Sequence, residues 1–201
     1  MPLIETHNMT NLWRIPLFGS AVFAAWQWDA RRKLSWIENW IAPDQTLLEV
    51  GSGPGSVLSV FRKAGYKIDG IDIRDSSFRK DLKPTLYDGA QMPLTDRSVD
   101  AALLLTMLHH TPEPDLILRE AMRVAKRLII IEDVYETPFQ RKYTKLADKI
   151  TNLEFFGHPH TNRDDLEWRA TFEKFGWTLR YAKVHSLAGI FQQAVYVVEP
   201  S

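Results

Sequence analysis

The chain has 201 residues, with 25 basic and 25 acidic side chains, six His and no Cys. This length suits one domain with a large core, and 45% apolar with 25% charged residues exclude a disordered chain. Zero net charge argues against a dedicated nucleic-acid binder, whose affinity depends on neutralising phosphates. The absence of Cys excludes a disulfide framework, a thiolate nucleophile and Cys-ligated metal.

The least polar long segment, Ile15–Trp28, is shorter than the roughly 20 apolar residues that a transmembrane helix needs. It also fits a cleavable signal peptide poorly, because its basic cluster Arg31-Arg32-Lys33 follows the apolar part. A soluble, cytoplasmic protein is expected, consistent with the missing Cys. Ser20 can cap a helix running to about Ile41, with Pro43 beyond it as a stop. Val22, Trp26, Ala30, Leu34, Ile37 and Ile41 form one apolar face at helical spacing.

From Thr46 short apolar runs alternate with helical segments. Strands are expected at Leu47–Val50, Tyr66–Ile71, Thr85–Tyr87, Val99–Leu105, Leu128–Ile131, Trp177–Val184 and Phe191–Val198. Helices are expected at Gly55–Ala64, at Glu113–Val124 with Thr111 as cap and Pro112 at the first position, at Thr137–Ile150 and at Arg163–Phe175. The near-continuous apolar runs Val99–Leu105 and Leu128–Ile131 fit strands buried on both faces. Such alternation implies an α/β domain with a mostly parallel sheet.

Leu47-Leu48-Glu49-Val50-Gly51-Ser52-Gly53-Pro54-Gly55 passes from strand through loop into helix. Glycines at alternate positions let the backbone turn sharply and approach a ligand, and ligands of open α/β sheets bind outside the carboxyl ends of the strands. A dinucleotide fingerprint would place its third Gly where Ser56 stands, and the P-loop pattern is absent. A ligand-free βα turn and an S-adenosylmethionine (SAM) loop are the remaining alternatives.

At these residues the sequence resembles the class I SAM-dependent methyltransferases, in the small-molecule "methyltransferase type 11"-like branch. Their first motif, an acidic residue, any residue, then G-x-G-x-G, matches Glu49, Gly51, Gly53 and Gly55. Asp72 ends the second strand, where the resemblance gives an acid that accepts from the ribose hydroxyls. The stretch Asp88–Asp100 resembles the family's "D-A-x-x-L-P-F-x-D-x-S-F-D". There Asp88 corresponds to the adenine-contacting acid, Gly89 supplies a neighbouring amide, and Met92 and Ile73 flank the ring. Leu104–His110 resembles the "L-H-H" strand end, and Arg119-Glu120 with Arg123-Val124 the "L-R-E-x-x-R-V" helix. Leu105 and Thr106 then lie beside the methionine part of the cofactor, and Ser52 joins the glycine loop residues around it. The resemblance runs from about Thr46 to Glu132; the "K-P-G-G" turn usual before the fifth strand is reduced to Lys126-Arg127.

The resemblance implies a Rossmann-like, seven-stranded sheet with helices on both faces and the last strand antiparallel. It implies methyl transfer from SAM, leaving S-adenosyl-L-homocysteine (SAH), to a small, apolar or aromatic acceptor on O, N or C. A SAM-binding regulatory module without transfer and an NAD-dependent oxidoreductase are the competing functions. A general base is needed only where the acceptor must lose a proton, and His109, His110, Glu132, Asp133 and Tyr135 are its candidates, none of them singled out. His158-Pro159-His160 with Asp164 has no spacing that imposes metal geometry, so no metal is expected. The whole chain is expected to form a single domain. Residues 1–45 form a helical lid over the acceptor pocket, lined by Trp13, Phe18, Phe23, Trp26 or Trp28, a cover for one sheet face, or a membrane-surface contact, the last disfavoured because the short Arg31-Arg32-Lys33 cluster is balanced by Asp29 and Glu38. The 137–162 segment, with Phe139, Tyr143, Phe155 and Phe156, is expected to complete the lid.

Overall fold

The apolar runs pair into one seven-stranded sheet of order β3-β2-β1-β4-β5-β7-β6. The strands are β1 Thr46–Val50, β2 Lys67–Asp72, β3 Thr85–Leu86, β4 Ala101–Leu105, β5 Leu128–Val134, β6 Trp177–Leu187 and β7 Phe191–Pro200. A computed structural model describes residues 16–135, 161–187 and 191–201. Trp13, the expected helix Thr137–Ile150, Phe139, Tyr143, Phe155, Phe156, His158 and His160 lie outside the described residues, as does the side chain of Phe18. The first five strands are parallel, and β7 inserts antiparallel between β5 and β6. This is the class I methyltransferase-like architecture expected above.

The sheet separates two apolar layers, because alternate strand residues point to opposite faces. On one side α1 (Pro16–Ile37) and α2 (Ser56–Lys63) bury Ala30, Ile37, Leu58 and Phe61 against Leu47, Leu103, Ile129, Ile131 and Val197. On the other, α3 (Pro114–Val124) and α4 (Asp165–Lys174) bury Leu118, Ala121, Trp168 and Phe172 against Leu48, Leu104, Ile130 and Tyr196. The N-terminal helix therefore covers a sheet face along its second half. Rings hold it at two levels. Phe23 stacks on Phe78 at 4.4 Å, and Trp36 stacks on His185 of β6 at 4.0 Å. Among the described residues no helix is long and apolar enough to cross a membrane.

Several boundaries differ from those read in the sequence. The first helix already includes Ser20, which therefore lies within it and not at its cap; it ends at Ile37 and tightens into a 3-10 turn over Glu38–Trp40. A proline is well placed in a first helical turn, where its missing N–H costs nothing. Accordingly α3 takes Pro114, not Pro112, at its first position, with Glu113 instead of Thr111 at the cap. β5 runs to Val134, so Glu132 and Asp133 lie inside the strand and not after it. The long β7 partner explains this, because it continues the ladder through Ala194 and Gln193. Asp164 caps α4 through a capping box with Glu167.

The Glu120 and Arg123 pair of α3 pins the loop between β3 and β4. Glu120 accepts from the Met92 amide at 2.7 Å, and Arg123 donates to the carbonyls of Met92 and Leu94 and to Asp96. Met92 is thereby drawn into the core, 1% exposed. Its side chain belongs to the core layer, whereas Ile73, the other expected ring wall, is exposed.

Candidate active site

The glycine loop opens from the carboxyl end of β1. The Gly51 amide donates to the Ile71 carbonyl at 2.8 Å, which turns the chain across the end of β2. Gly51, Gly53 and Gly55 all have positive φ. Gly55 is the residue that caps α2, at φ +79°, and a Cβ there would lie 2.7 Å from the Leu82 Cβ. Gly53, at φ +49°, borders open space: a Cβ would meet no atom within 4 Å. Thus Gly55 allows close packing from below, while Gly53 presents bare backbone outward.

Glu49, Asp72 and Asp88 differ in how they are held. The Gly53 amide donates to Asp72 Oδ2 at 2.8 Å, so the carboxylate at the end of β2 is tied directly to the loop. Glu49 is buried on β1, with Oε2 lacking a hydrogen-bond partner among the described residues. Burial pushes its carboxyl well above the usual range, opposed by the charge of Lys33 and reinforced by Asp72. The Ser52 hydroxyl turns under the loop, 2.9 Å from where a Gly70 Cβ would sit, and is likewise buried without a partner among the described residues. Asp88 Oδ1 accepts from the amides of Gln91 and Ala90, each at 2.9 Å, which holds its carboxyl below the usual range. Ile73, 63% exposed, lies against Gly89, with its Cγ2 3.2 Å from a Cβ position there. Asp72, Ile73, Asp88 and Gly89 therefore share the outer end of β2 and β3.

The end of β4 adjoins this group. Leu105 ends the strand, and Thr106 follows at φ +55°. That conformation is an outlier for a β-branched residue, and such strain clusters at functional sites. Two bonds hold it: the Thr106 amide donates to the Ile131 carbonyl at 2.6 Å, and its hydroxyl to the Leu105 carbonyl at 2.7 Å. Met107 then packs on the glycine loop, its Cε 3.0 Å from a Gly51 Cβ position. Below, the buried Glu132 gathers the turn. Its Oε1 accepts from the Met107 and Leu108 amides at 2.8 and 2.7 Å, and its Oε2 pairs with His109 Nδ1 at 2.6 Å. His110 packs on His109 with 4.1 Å between centroids. Glu132 and His109 thus form the underside of the β4 turn. Asp133 points to the opposite face, where Gln193 donates to its Oδ1 at 2.8 Å and burial raises its carboxyl. The Tyr135 hydroxyl donates to the Asn162 carbonyl at 3.2 Å.

Residues 48–131 match the family model described as a methyltransferase domain. That segment covers less than half of the chain, and the fold around it is the one shared by class I methyltransferases. An uncharacterized methyltransferase of Mycobacteroides abscessus is 30% identical over 93 residues, covering 41% of this chain and 36% of that relative. The match therefore spans about a third of the curated relatives' length. Among solved structures, a SAM-dependent methyltransferase of Methanosarcina mazei has a TM-score of 0.64 at 19% identity, covering 82% of this chain and 96% of that one. A magnesium protoporphyrin IX methyltransferase of Synechocystis PCC 6803, with bound SAH, has a TM-score of 0.61 at 18% identity, covering 92% and 88%. At such identities these two share the fold.

One group beside this site has no counterpart among the site residues singled out in the sequence. Lys33 of α1 is buried, and its ammonium donates to Thr106 Oγ1 at 2.7 Å and pairs with Asp29 Oδ2 at 2.8 Å. Arg32 pairs with Asp29 and donates to Gln193 Oε1 at 3.0 Å. In the sequence, Arg31-Arg32-Lys33 reads as a surface cluster balanced by nearby acids. The one available signal was Asp29 at i−4 from Lys33, a spacing that pairs side chains on a helix.

Proposed function

We propose that the chain transfers a methyl group from SAM to a small, apolar or aromatic acceptor, releasing SAH. The observation that carries this reading is the bare backbone of Gly53, tied to Asp72 and facing open space between the ends of β1 and β2. The buried, unpartnered Glu49 Oε2 fits a cationic group arriving above it. When bound, SAM supplies a methyl group activated by its sulfonium, and the protein supplies position and electrostatics.

In this reading Gly51, Gly53 and Gly55 shape the loop, and Ser52 braces it from beneath. Asp72 accepts from the ribose hydroxyls, Asp88 receives the adenine amine through the oxygen not held by Ala90 and Gln91, and Ile73 and Gly89 flank the ring. Leu105 and Thr106 line the methionine end, with the free Glu49 Oε2 beneath it as an acceptor. The acceptor sits toward β4 and β5, with the N-terminal helix α1 as its lid. Residues 1–44 hold four basic and four acidic side chains, which suits a little-charged acceptor. No residue is needed as a base for acceptors that carry no proton to lose. A cytoplasmic location belongs to the same reading.

Asp72→Ala removes both the ribose acceptor and the anchor of the Gly53 amide. SAH affinity by calorimetry should fall at least about tenfold, the factor for one charged hydrogen bond, with the circular dichroism spectrum unchanged. Equal affinity in the variant would contradict the assignment. Incubation with methyl-labelled SAM and a panel of phenols, amines and fatty acids then tests transfer. Tight SAH binding without transfer to any of them would favour a SAM-binding regulatory module.

A further inference from the structure

We infer that Lys33 is the receptor for the carboxylate of the cofactor's methionine moiety, so that α1, outside the matched segment 48–131, completes the cofactor site. This inference rests on SAM being the cofactor.

Three observations converge on it. First, the Lys33 ammonium is buried, with the residue 5% exposed on the inward face of α1 between Ala30 and Ile37. A buried ion pair is seldom more stable than apolar residues of the same size, so packing alone does not call for a lysine here. Second, an ammonium has three protons to donate. Two are directed at Thr106 Oγ1 and Asp29 Oδ2, and the third has no partner among the described residues. Third, the position is specific. Thr106 is the strained residue at the end of β4, and its neighbour Met107 touches Gly51. Lys33 therefore reaches from the opposite side of the glycine loop to Asp72, where the methionine end of the cofactor would lie.

The charge balance supports the same role. The methionine end of SAM and of SAH carries one ammonium and one carboxylate. Around Lys33 stand the carboxyl groups of Asp29, Glu49 and Asp133, and its field reaches both Glu49 and Asp133. Their oxygens suit the ligand's ammonium, and its carboxylate needs a cation. Arg32 is held by Asp29 and Gln193 and lies over the Trp36 ring at 4.9 Å. Arg32 Nε is buried without a partner among the described residues but belongs to that committed guanidinium, whereas the Lys33 ammonium is held at the end of β4 by Asp29 and Thr106 with a proton to spare.

The test compares two ligands on full-length protein: SAH and decarboxylated SAH, which keeps the ammonium and lacks the carboxylate. Wild-type protein should prefer SAH. Lys33→Met should lose about tenfold or more of its affinity for SAH while binding the decarboxylated ligand as well as wild type or better. Equal loss for both ligands would mean a merely structural lysine and would overturn the inference, as would an unchanged SAH affinity. No SAH binding by wild-type protein would instead overturn the SAM reading itself. If Lys33→Met folds poorly, Lys33→Gln keeps an N–H for Asp29 and should show the same selective loss for SAH.

Discussion

Gly55→Ala should lower stability by about 2–4 kcal/mol, combining the cost of a non-glycine residue at positive φ with that of overpacking. For a chain of this size that is a fall in Tm of roughly 5–12 °C. The cause is local and doubly determined. Gly55 sits at φ +79° at the start of α2, and the new methyl would lie 2.7 Å from the Leu82 Cβ. A Cβ is fixed to its backbone, so the 3-10 turn at Lys80–Leu82 must move as a whole. Gly53→Ala is the internal control. Its φ is also positive, but its Cβ meets no atom within 4 Å, so the stability loss should be about 1 kcal/mol, with the larger effect on SAH affinity. Thermal melts of both variants check the contrast, and an equal fall in Tm would contradict the distinct roles given to the two glycines.

Glu132→Ala should be more damaging than its place beside a candidate site suggests. The carboxylate accepts from the Met107 and Leu108 amides and pairs with His109 Nδ1, all in a buried setting. Truncation strands these groups without water, at about 1–3 kcal/mol for each unsatisfied one. A loss of at least about 3 kcal/mol is expected from urea unfolding midpoints. Glu132→Gln keeps an oxygen for the two amides and should lose less. Hydrogen exchange at Met107 and Leu108 should rise steeply in Glu132→Ala. Unchanged protection at these amides would show that the β4 turn is held by something else.

The contrast between these two residues explains what the sequence made legible. Three glycines needing positive φ within five positions leave a local pattern, and alternating apolar runs announce the parallel strands on either side. Asp72 and Asp88 were legible because each stands at or just after a strand end at the spacing of a known family stretch. Glu132 was visible as a residue near the end of a strand, but its task of gathering the β4 turn depends on partners 23 to 25 positions away. The length of β5 was hidden for the same reason, since its last residues pair with β7. Met92 matched a family position, yet the Glu120 and Arg123 clamp buries it in the core. Lys33 was hardest to find. A lysine in a basic run reads as solvated surface, and its burial follows from Thr106, 73 positions away. Local conformational needs therefore surfaced in the sequence, whereas tertiary partners had to come from the fold.

The central proposal is cofactor binding at the loop from Val50 to Ser56, and calorimetric titration of the wild-type protein with SAH tests it most directly. Saturable one-to-one binding, lost when NADH replaces SAH, is the expected result. Absence of heat with SAH from folded protein, or binding of NADH in its place, would contradict the account.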